Sequence, residues 1–391
     1  MKTSQRVSFV IGWAIFTAVL HFVNPVAEAA DAKVTQLREL IPLQDGRKIW
    51  VEADIIDPRL TTKIIFNGLT NSASNSFHLL SDALLKENYN VIRFDFPGQG
   101  KTLLANLPLT GEKLTISDQA DVVHELIPTM VNHYSLSGGL EILGQSYGGG
   151  VILRTFAKYP EFSKDTFRAA TEFSSYTEPL AAQDEQIKQQ VELRKMVQAN
   201  SHKTDDQLYD EVFYQTVMST YWIAEPEIIG KNLQETRLFL QGVYHLAQGI
   251  RTWKAEDDIG NLPDMPINLV MSMTDQYIPS DVIPRYWNSL PLKNRGYLIK
   301  VYGSEHKIFQ AVPRFAAAIE AITSHPFASS GHGSEFNAFV VTNRIQFTGN
   351  GLKAPSAKEG LAMDIKNYRN SELNGLTTNM CRSLFAHPRA L

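Results

Sequence analysis

The sequence predicts an α/β protein with a mostly parallel sheet and helices on both faces. Short apolar runs bounded by turn residues alternate with helical stretches from about residue 48 onward, and this alternation is typical of parallel strands joined by helices. One run, residues 140–143, leads into a G-x-S-x-G pentad centred on Ser146 and then into a helical stretch. A serine between a strand and a helix is therefore expected at an edge of the sheet.

Seven segments predict the strands. One of them, residues 48–56, alternates apolar and polar residues. The other six are short apolar runs bounded by turn residues, which suit strands that are buried in a parallel sheet. These runs cover residues 63–66, 90–96, 140–143, 169–173, 267–273 and 297–302. Apolar residues at helical spacing lie between or after them, at residues 116–134, 148–159 and 309–322.

The alternation breaks between residues 178 and 258, where the pattern is helical throughout. A helical insertion of this size predicts a cap, and its aromatic side chains most simply form its own core. The chain then divides into a core over residues 30–177 and 259–325, a helical cap or lid over residues 178–258, and a C-terminal tail of unknown role over residues 326–391. Within that tail, residues 335–348 have the pattern of a hairpin.

The composition is that of a globular protein, with 391 residues of which 43% are hydrophobic and 20% are charged. Lys and Arg total 37 and Asp and Glu total 41, for a net charge of −4, which argues against a large basic footprint for nucleic acid. The single cysteine, Cys381, cannot form an intrachain disulfide or a multi-cysteine metal site. The fold must therefore depend on its own core, which a chain of this length can build.

Residues 1–29 have the pattern of a secretory signal peptide. Two basic residues precede an apolar run over residues 7–23, and residues 27–29 read Ala-Glu-Ala, with small side chains at the two positions that signal peptidase recognises. We therefore predict cleavage before Ala30 and export to the periplasm or the cell exterior. An uncleaved N-terminal anchor is the alternative, because the apolar run lies at the lower edge of the length that spans a bilayer.

Ser146 is the candidate nucleophile. In a tight turn from a strand to a helix the serine side chain is forced out above the sheet, and small residues are needed two positions before and two positions after it. Gly144 and Gly148 occupy those positions. The N-terminus of the following helix favours negative charge that develops near the serine. A glycine-rich turn without chemistry is the alternative.

A serine hydroxyl is a weak nucleophile until a base accepts its proton. His306 follows the run 297–302 and, of the ten histidines, is the one expected at the end of a strand, so it is the candidate base. Asp275 follows the run 267–273 and is the candidate carboxylate that orients the imidazole. Glu178 is the alternative acid, but it opens the predicted cap. The chain order serine, aspartate, histidine is the one expected for this architecture.

A tetrahedral intermediate also needs two backbone donors for its oxyanion. The Tyr147 N–H, directly after Ser146, is one candidate. The Leu69 N–H is the other, because it lies in the loop after an early strand and Gly68 lets the backbone approach closely. An ordinary strand-ending Asn-Gly turn is the alternative for this loop. Asp95 begins a D-x-P-G-x-G turn, and we expect it to fix that turn by hydrogen bonds rather than to act in catalysis.

Four motifs occur together and in a fixed order in this chain. They are the loop Asn67-Gly68-Leu69, the turn from Asp95 to Gly100, the serine turn at Ser146, and the pair Asp275 and His306. With these motifs, residues 48–325 resemble the α/β-hydrolase superfamily, in the lidded branch with serine esterases and lipases. The resemblance implies eight strands, mostly parallel, with the helical cap inserted after the sixth.

The chain departs from the family pattern at two positions. The family commonly has His before the glycine of the oxyanion loop, where this chain has Asn67, and it commonly has His where this chain has Gln145. Neither position carries a required catalytic group. Both departures leave the placement within the superfamily open.

Taken together, the motifs predict a secreted or periplasmic serine hydrolase that cleaves carboxylic esters through a Ser-His-Asp triad and an acyl-enzyme. The expected partner is a small-molecule ester or acyl substrate, with no metal or organic cofactor, no nucleic acid, and membrane contact only through an uncleaved signal segment. Other triad chemistry on the same fold is the alternative: acyl transfer, lactone or amide hydrolysis, or C–C bond hydrolysis. A non-catalytic binding protein is disfavoured, because all three triad residues are present.

Overall fold

The protein is described by a computed structural model over residues 33–74, 76–108, 114–175, 177, 181–197, 203–224, 230, 232–251, 253–275, 277–278, 280–302, 306–308, 334–341 and 344–349. The predicted signal segment, the alternative acid Glu178, the helix expected at residues 309–322, and Cys381 lie outside the described residues. None of the helices within the described ranges combines the length and the apolar character that a membrane span requires.

Within these ranges ten strands form one sheet, in the order β1-β2-β4-β3-β5-β6-β7-β8-β9-β10. The strands are Thr35–Pro42 (β1), Lys48–Ile55 (β2), Thr62–Phe66 (β3), Asn90–Phe94 (β4), Leu140–Gln145 (β5), Phe167–Phe173 (β6), Ile267–Ser272 (β7), Arg295–Tyr302 (β8), Ser334–Val341 (β9) and Arg344–Gly349 (β10). Neighbours from β4 to β9 pair in parallel. β2 is antiparallel to β4, and β10 is antiparallel to β9.

The mostly parallel sheet expected from the sequence is confirmed. Each of the seven predicted segments forms a strand whose bounds differ from the expected ones by no more than two residues. β1 was not predicted, because most of its residues are exposed or half-buried and it carries no clear apolar run. The predicted hairpin forms as β9 and β10, and since β9 pairs with β8 it extends the sheet beyond the eight expected strands.

Ten α-helices accompany the sheet within the described residues. They are His78–Lys86 (α1), Gly100–Ala105 (α2), Ile116–His133 (α3), Tyr147–Lys158 (α4), Pro160–Thr166 (α5), Ala181–Val197 (α6), Asp205–Ala224 (α7), Leu233–Ile250 (α8), Glu256–Ile259 (α9) and Val282–Ser289 (α10).

Helices cover both faces of the sheet, as the sequence predicts. Successive side chains of a strand point to opposite faces, and on β3 Ile64 belongs to one apolar cluster whereas Ile65 belongs to another. The first cluster includes residues of α3, α4 and α10, and the second includes residues of α1. The two clusters form the core on either side of the sheet.

Helix α3 packs against α4, the helix that follows Ser146, and its sequence specifies where it begins and which face it buries. Its first turn is a capping box, in which the Thr115 hydroxyl accepts from Asp118 N–H at 3.2 Å and the Asp118 carboxylate accepts from Thr115 N–H at 3.0 Å. These bonds satisfy two backbone donors that a helix start otherwise leaves open. Apolar residues three and four apart are then buried against α4 and belong to the apolar cluster that also contains strand residues.

Four helices, α6 to α9, lie between β6 and β7, where the sequence predicts a helical cap. α6 and α7 share a small apolar cluster of Ile187, Val191, Leu208 and Val212. α8 approaches the D-x-P-G-x-G turn so closely that a Cβ on Gly242 would lie 2.0 Å from the Gly98 carbonyl oxygen. The segment therefore contacts a turn at the carboxyl edge of the parallel strands, while its function as a lid stays a prediction.

Glu172 is a buried acid in the middle of the sheet. It lies on β6 with none of its surface exposed, and the Tyr286 hydroxyl donates to its Oε2 at 3.0 Å. Burial raises the pKa of this carboxyl to about 8, although hydrogen bonds from Ser175 and Tyr286 lower it in part. The folded protein therefore keeps Glu172 protonated at neutral pH.

This buried acid predicts a loss of stability as the pH rises. Between the ordinary carboxyl pKa of 4.5 and about 8, the unfolded chain releases a proton that the folded chain retains. The free energy of unfolding should therefore fall across that window by up to about 1.4 kcal/mol per pH unit, and Glu172 should cause no further fall above it. Urea denaturation of the wild type and of Glu172→Gln at several pH values measures the effect. The stability of the variant relative to wild type should increase with pH up to about 8 and then level off, and a difference independent of pH would contradict the assignment.

Candidate active site

Ser146 occupies the junction between β5 and α4, with a backbone conformation that few serines adopt. Its φ is 52° and its ψ is −113°, in a region that is costly for any residue with a side chain. The Ser146 N–H donates to the Phe173 carbonyl of β6 at 2.9 Å, and the Ser146 carbonyl accepts from Gly149 N–H at 3.0 Å in the first turn of α4. The turn is thus fixed from both sides, and it matches the strained strand-to-helix turn expected from the sequence.

The small residues around Ser146 are required by close backbone approach. A Cβ on Gly148 would lie 2.3 Å from the Phe66 carbonyl oxygen and 2.8 Å from the Asn67 carbonyl oxygen. A Cβ on Gly144 would lie 2.7 Å from Gly149 N. All three distances are shorter than a normal contact of a Cβ atom. The distances at Gly148 show that the first turn of α4 packs directly on the end of β3. The predicted need for glycine at both positions is confirmed.

Asp275 and His306 form a hydrogen-bonded pair after β7 and β8. The distance from Asp275 Oδ2 to His306 Nδ1 is 2.7 Å, and the two side chains are 1% and 6% exposed. The other carboxylate oxygen, Oδ1, accepts from Tyr277 N–H at 2.7 Å and from Ile278 N–H at 2.9 Å. The carboxylate is therefore fixed by its own turn before it meets the imidazole.

The pairing also determines what the imidazole can do. Asp275 Oδ2 accepts a hydrogen bond from the Nδ1–H of His306, so in the neutral tautomer assigned from this geometry Nε2 carries a lone pair and can act as a base. The Tyr277 ring meets the His306 ring edge to face, with centroids 4.9 Å apart and planes at 76°. The histidine is thus held on two sides by residues of the loop after β7.

The predicted site residues collect at one edge of the sheet. β3, β5, β7 and β8 run in the same direction, and Leu69, Ser146, Asp275 and His306 follow their carboxyl ends. The structure brings Asp275 and His306 into contact and packs the Ser146 turn on the loop that carries Leu69. The catalytic roles of these residues remain predictions from the sequence.

The loop after β3 is held by side chains from the next turn. Asp95 is fully buried and accepts from Ala73 N–H at 2.6 Å and from Lys101 N–H at 2.8 Å. Burial raises the pKa of Asp95 to about 6, and the hydrogen bonds from these backbone groups lower it in part. The predicted structural role of Asp95 in this turn is confirmed by its hydrogen bond from Lys101 N–H. Through the bond from Ala73 N–H, the same carboxylate also fixes the loop that carries Leu69.

Gln99 lies in the same turn and was not among the predicted site residues. Its side chain reaches the carbonyl oxygens of Gly68 and Leu69. The D-x-P-G-x-G motif predicts the turn but does not specify the residue at its second variable position, which is Gln99, so the sequence carries little indication of this contact.

Within the described part of the chain, no group of three or more His, Cys, Asp and Glu side chains is arranged to hold a metal ion.

The close approach at Gly148 gives a test of the turn. Gly148→Ala should lower the free energy of unfolding by about 1–3 kcal/mol, because the new Cβ would overlap with the carbonyl oxygens of Phe66 and Asn67 and force the backbone to shift. The control is Gly260→Ala, at an exposed position with φ −66° and no atom within 4 Å of the new Cβ. The control should be neutral or slightly stabilising. Equal stabilities for the two variants in urea denaturation would contradict the tight packing at Ser146.

Comparison with known proteins supports the fold. The alpha/beta hydrolase fold family matches the sequence over residues 64–309, and no match was found among curated proteins. Among solved structures, the chain is similar to MGS-M2, an alpha/beta hydrolase enzyme from a Medee basin deep-sea metagenome library, with 19% identity, a TM-score of 0.53, and coverage of 74% of this chain and 98% of that one. It is also similar to the esterase RhEst1 from Rhodococcus sp. ECU1013, with 16% identity, a TM-score of 0.48, and coverage of 74% and 98%. It is similar as well to a thermophilic esterase from Thermogutta terrifontis, with 16% identity, a TM-score of 0.47, and coverage of 73% of this chain and 97% of that one.

At these identities the likeness to solved structures concerns the fold alone, and of the three only MGS-M2 exceeds a TM-score of 0.5. The family match spans more than half of the 391 residues and includes Ser146, Asp275 and His306. The protein belongs to the alpha/beta hydrolase fold family.

Proposed function

We propose that the protein is a serine hydrolase that cleaves carboxylic esters through an acyl-enzyme. Membership of the alpha/beta hydrolase fold family supports a hydrolase. The observation that carries the finer proposal is the hydrogen bond between the buried side chains of Asp275 and His306, at the edge of the sheet where Ser146 follows β5. A base held by a carboxylate, near a serine on a strained turn, is what nucleophilic catalysis by serine requires.

In the proposed mechanism, Ser146 Oγ attacks the ester carbonyl while His306 Nε2 accepts its proton. Asp275 holds the imidazole in the correct tautomer and stabilises its charged form. The N–H groups of Leu69 and Tyr147 stabilise the oxyanion of the tetrahedral intermediate. His306 then donates the proton to the leaving alcohol, and the acyl group remains on Ser146. A water molecule, activated in turn by His306, releases the acid and restores the serine.

The substrate class in this proposal is a small-molecule ester or acyl compound. An ester fits because a neutral carbonyl needs only a nucleophile, a base and backbone donors, all of which the chain can supply from its own residues. No residue of the proposed mechanism requires a metal or an organic cofactor to act. The same residues would serve acyl transfer if an alcohol replaced water in the second step.

We also propose that the protein is exported, on the pattern of residues 1–29. The predicted cleavage site places the mature N-terminus at Ala30, five residues before β1 begins at Thr35. Removal of the segment would therefore leave every described strand and helix intact. Mass spectrometry of the N-terminal peptide from protein recovered outside the cytoplasm tests this. A mature chain that begins at Met1 would contradict cleavage.

Hydrolysis of p-nitrophenyl esters of increasing acyl length tests the proposed chemistry. Ser146→Ala should lower kcat/KM by about 10⁴-fold or more, and Asp275→Asn by about 10⁴-fold, because the first removes the nucleophile and the second disturbs the tautomer of the base. The matched control is Ser137→Ala, an exposed serine that precedes β5 at its other end, and this variant should keep wild-type rates. Turnover that survives Ser146→Ala would remove Ser146 from its role.

A further inference from the structure

Gln99 is a buried amide with hydrogen bonds at both ends. The residue is 3% exposed, and its Nε2 donates to the Gly68 carbonyl at 2.6 Å and to the Leu69 carbonyl at 3.2 Å. Oε1 accepts from Phe96 N–H at 3.2 Å and from Asn67 Nδ2 at 3.4 Å. A single side chain thus connects the turn after β4 with the loop after β3.

The bond to Gly68 fixes the direction of the Leu69 N–H. The Gly68 carbonyl and the Leu69 N–H belong to one peptide unit, which is planar and trans, so the two groups point in opposite directions. Because Gln99 Nε2 holds the carbonyl at 2.6 Å, the Leu69 N–H must point away from Gln99. Among the described residues, that N–H has no hydrogen-bond acceptor.

The other side of this loop meets the serine turn. A Cβ on Gly68 would lie 2.0 Å from Gln145 Oε1, one residue before Ser146, and a Cβ on Gly148 would lie 2.3 Å from the Phe66 carbonyl. The loop is therefore fixed against the nucleophile by packing, while Gln99 fixes the rotation of its Gly68–Leu69 peptide unit.

Gln99 is itself held rigidly. It adopts an extended backbone conformation, with φ −118° and ψ 149°, between two glycines of positive φ, and its N–H donates to the Phe96 carbonyl at 2.9 Å. The neighbouring Asp95 accepts from Lys101 N–H and from Ala73 N–H. One turn therefore supports the loop at two points, through Asp95 at residue 73 and through Gln99 at residues 68 and 69.

We propose that Gln99 is a positioning residue for catalysis: its amide holds the Gly68–Leu69 peptide so that the Leu69 N–H points at the developing oxyanion. The inference rests on the proposed function, since it names the support of a donor in that mechanism. The hydrogen bond to the Gly68 carbonyl also polarises the peptide and makes the Leu69 N–H a stronger donor. An oxyanion donor acts more strongly on the transition state than on the bound ester, so its loss appears in kcat rather than in KM.

The first test is Gln99→Met, which keeps the volume of the side chain and removes its donor and acceptor. Loss of an oxyanion donor lowers kcat by about 10²- to 10³-fold. For a donor that is misdirected rather than removed, we expect a fall in kcat of about 10- to 100-fold with KM changed less than about threefold. Rates are measured on a p-nitrophenyl ester at a temperature where circular dichroism shows the variant to be folded.

The matched control is Asn294→Leu. Asn294 is also a fully buried amide whose nitrogen donates to two backbone carbonyls, those of Pro263 and Met265 at 2.5 and 3.0 Å. It directly precedes β8, at the amino ends of the parallel strands, whereas the site lies at their carboxyl ends. The control should lose stability in urea to a similar degree and keep its kcat. An equal fall in kcat in both variants would overturn the positioning role.

Gln99→Glu gives a second readout that does not depend on the first. A protonated carboxyl can still donate to the Gly68 carbonyl, whereas an ionised one repels it, so kcat relative to wild type should decrease as the pH rises. A ratio that stays near one at all pH values would overturn the inference.

If wild-type turnover depends on Ser146 but Gln99→Met keeps its kcat, the inference fails alone. If no Ser146-dependent turnover is found, the proposed function fails and the inference fails with it.

Discussion

The turn at Ser146 is the constraint on which the rest of the site depends. A serine with a φ of 52° is maintained only where surrounding contacts fix the backbone, and here those contacts reach two other strands. The Ser146 N–H bonds to Phe173 on β6, and Gly148 packs on the carbonyl of Phe66 at the end of β3. The start of α4 and the loop after β3 are therefore held in fixed relation to the serine. Backbone groups can supply oxyanion donors in the proposed mechanism because they are positioned by the fold itself.

The loop after β3 is supported by three neutral amides, and two of them, Asn67 and Gln145, stand where the family commonly has histidine. Asn67 donates to the Phe94 carbonyl at 2.6 Å, Gln99 holds the carbonyls of Gly68 and Leu69, and Gln145 packs on Gly68. Amides do not titrate, so this part of the support stays constant across the pH range in which an imidazole ordinarily changes charge. A hydrogen bond from an amide to a carbonyl also has a defined donor, which fixes the orientation of the peptide unit beyond it.

Much of this arrangement could be predicted from local sequence. The apolar runs identified β3 to β8 because parallel strands are buried on both faces, and an alternating pattern identified β2. Ser146 was identified because its turn needs glycine on both sides. The pair Asp275 and His306 was expected from strand ends alone, and the structure joins them at 2.7 Å. β1 and the contact of β9 with β8 could not be predicted, since an exposed strand has little apolar pattern and strand pairing across a long segment leaves no local signal. Gln99 was missed for the same reason, because its partners lie about thirty residues away.

The most direct test of the account is the site of covalent labelling by a fluorophosphonate. Such a probe reacts with a serine only when a base removes its proton and oxyanion donors accept the developing charge, so it tests nucleophile, base and donors together. Peptide mapping by mass spectrometry of the labelled protein should find one adduct, on Ser146, with labelling lost in Ser146→Ala and strongly slowed in His306→Gln. An adduct on another residue, or equal labelling of wild type and Ser146→Ala, would contradict the account.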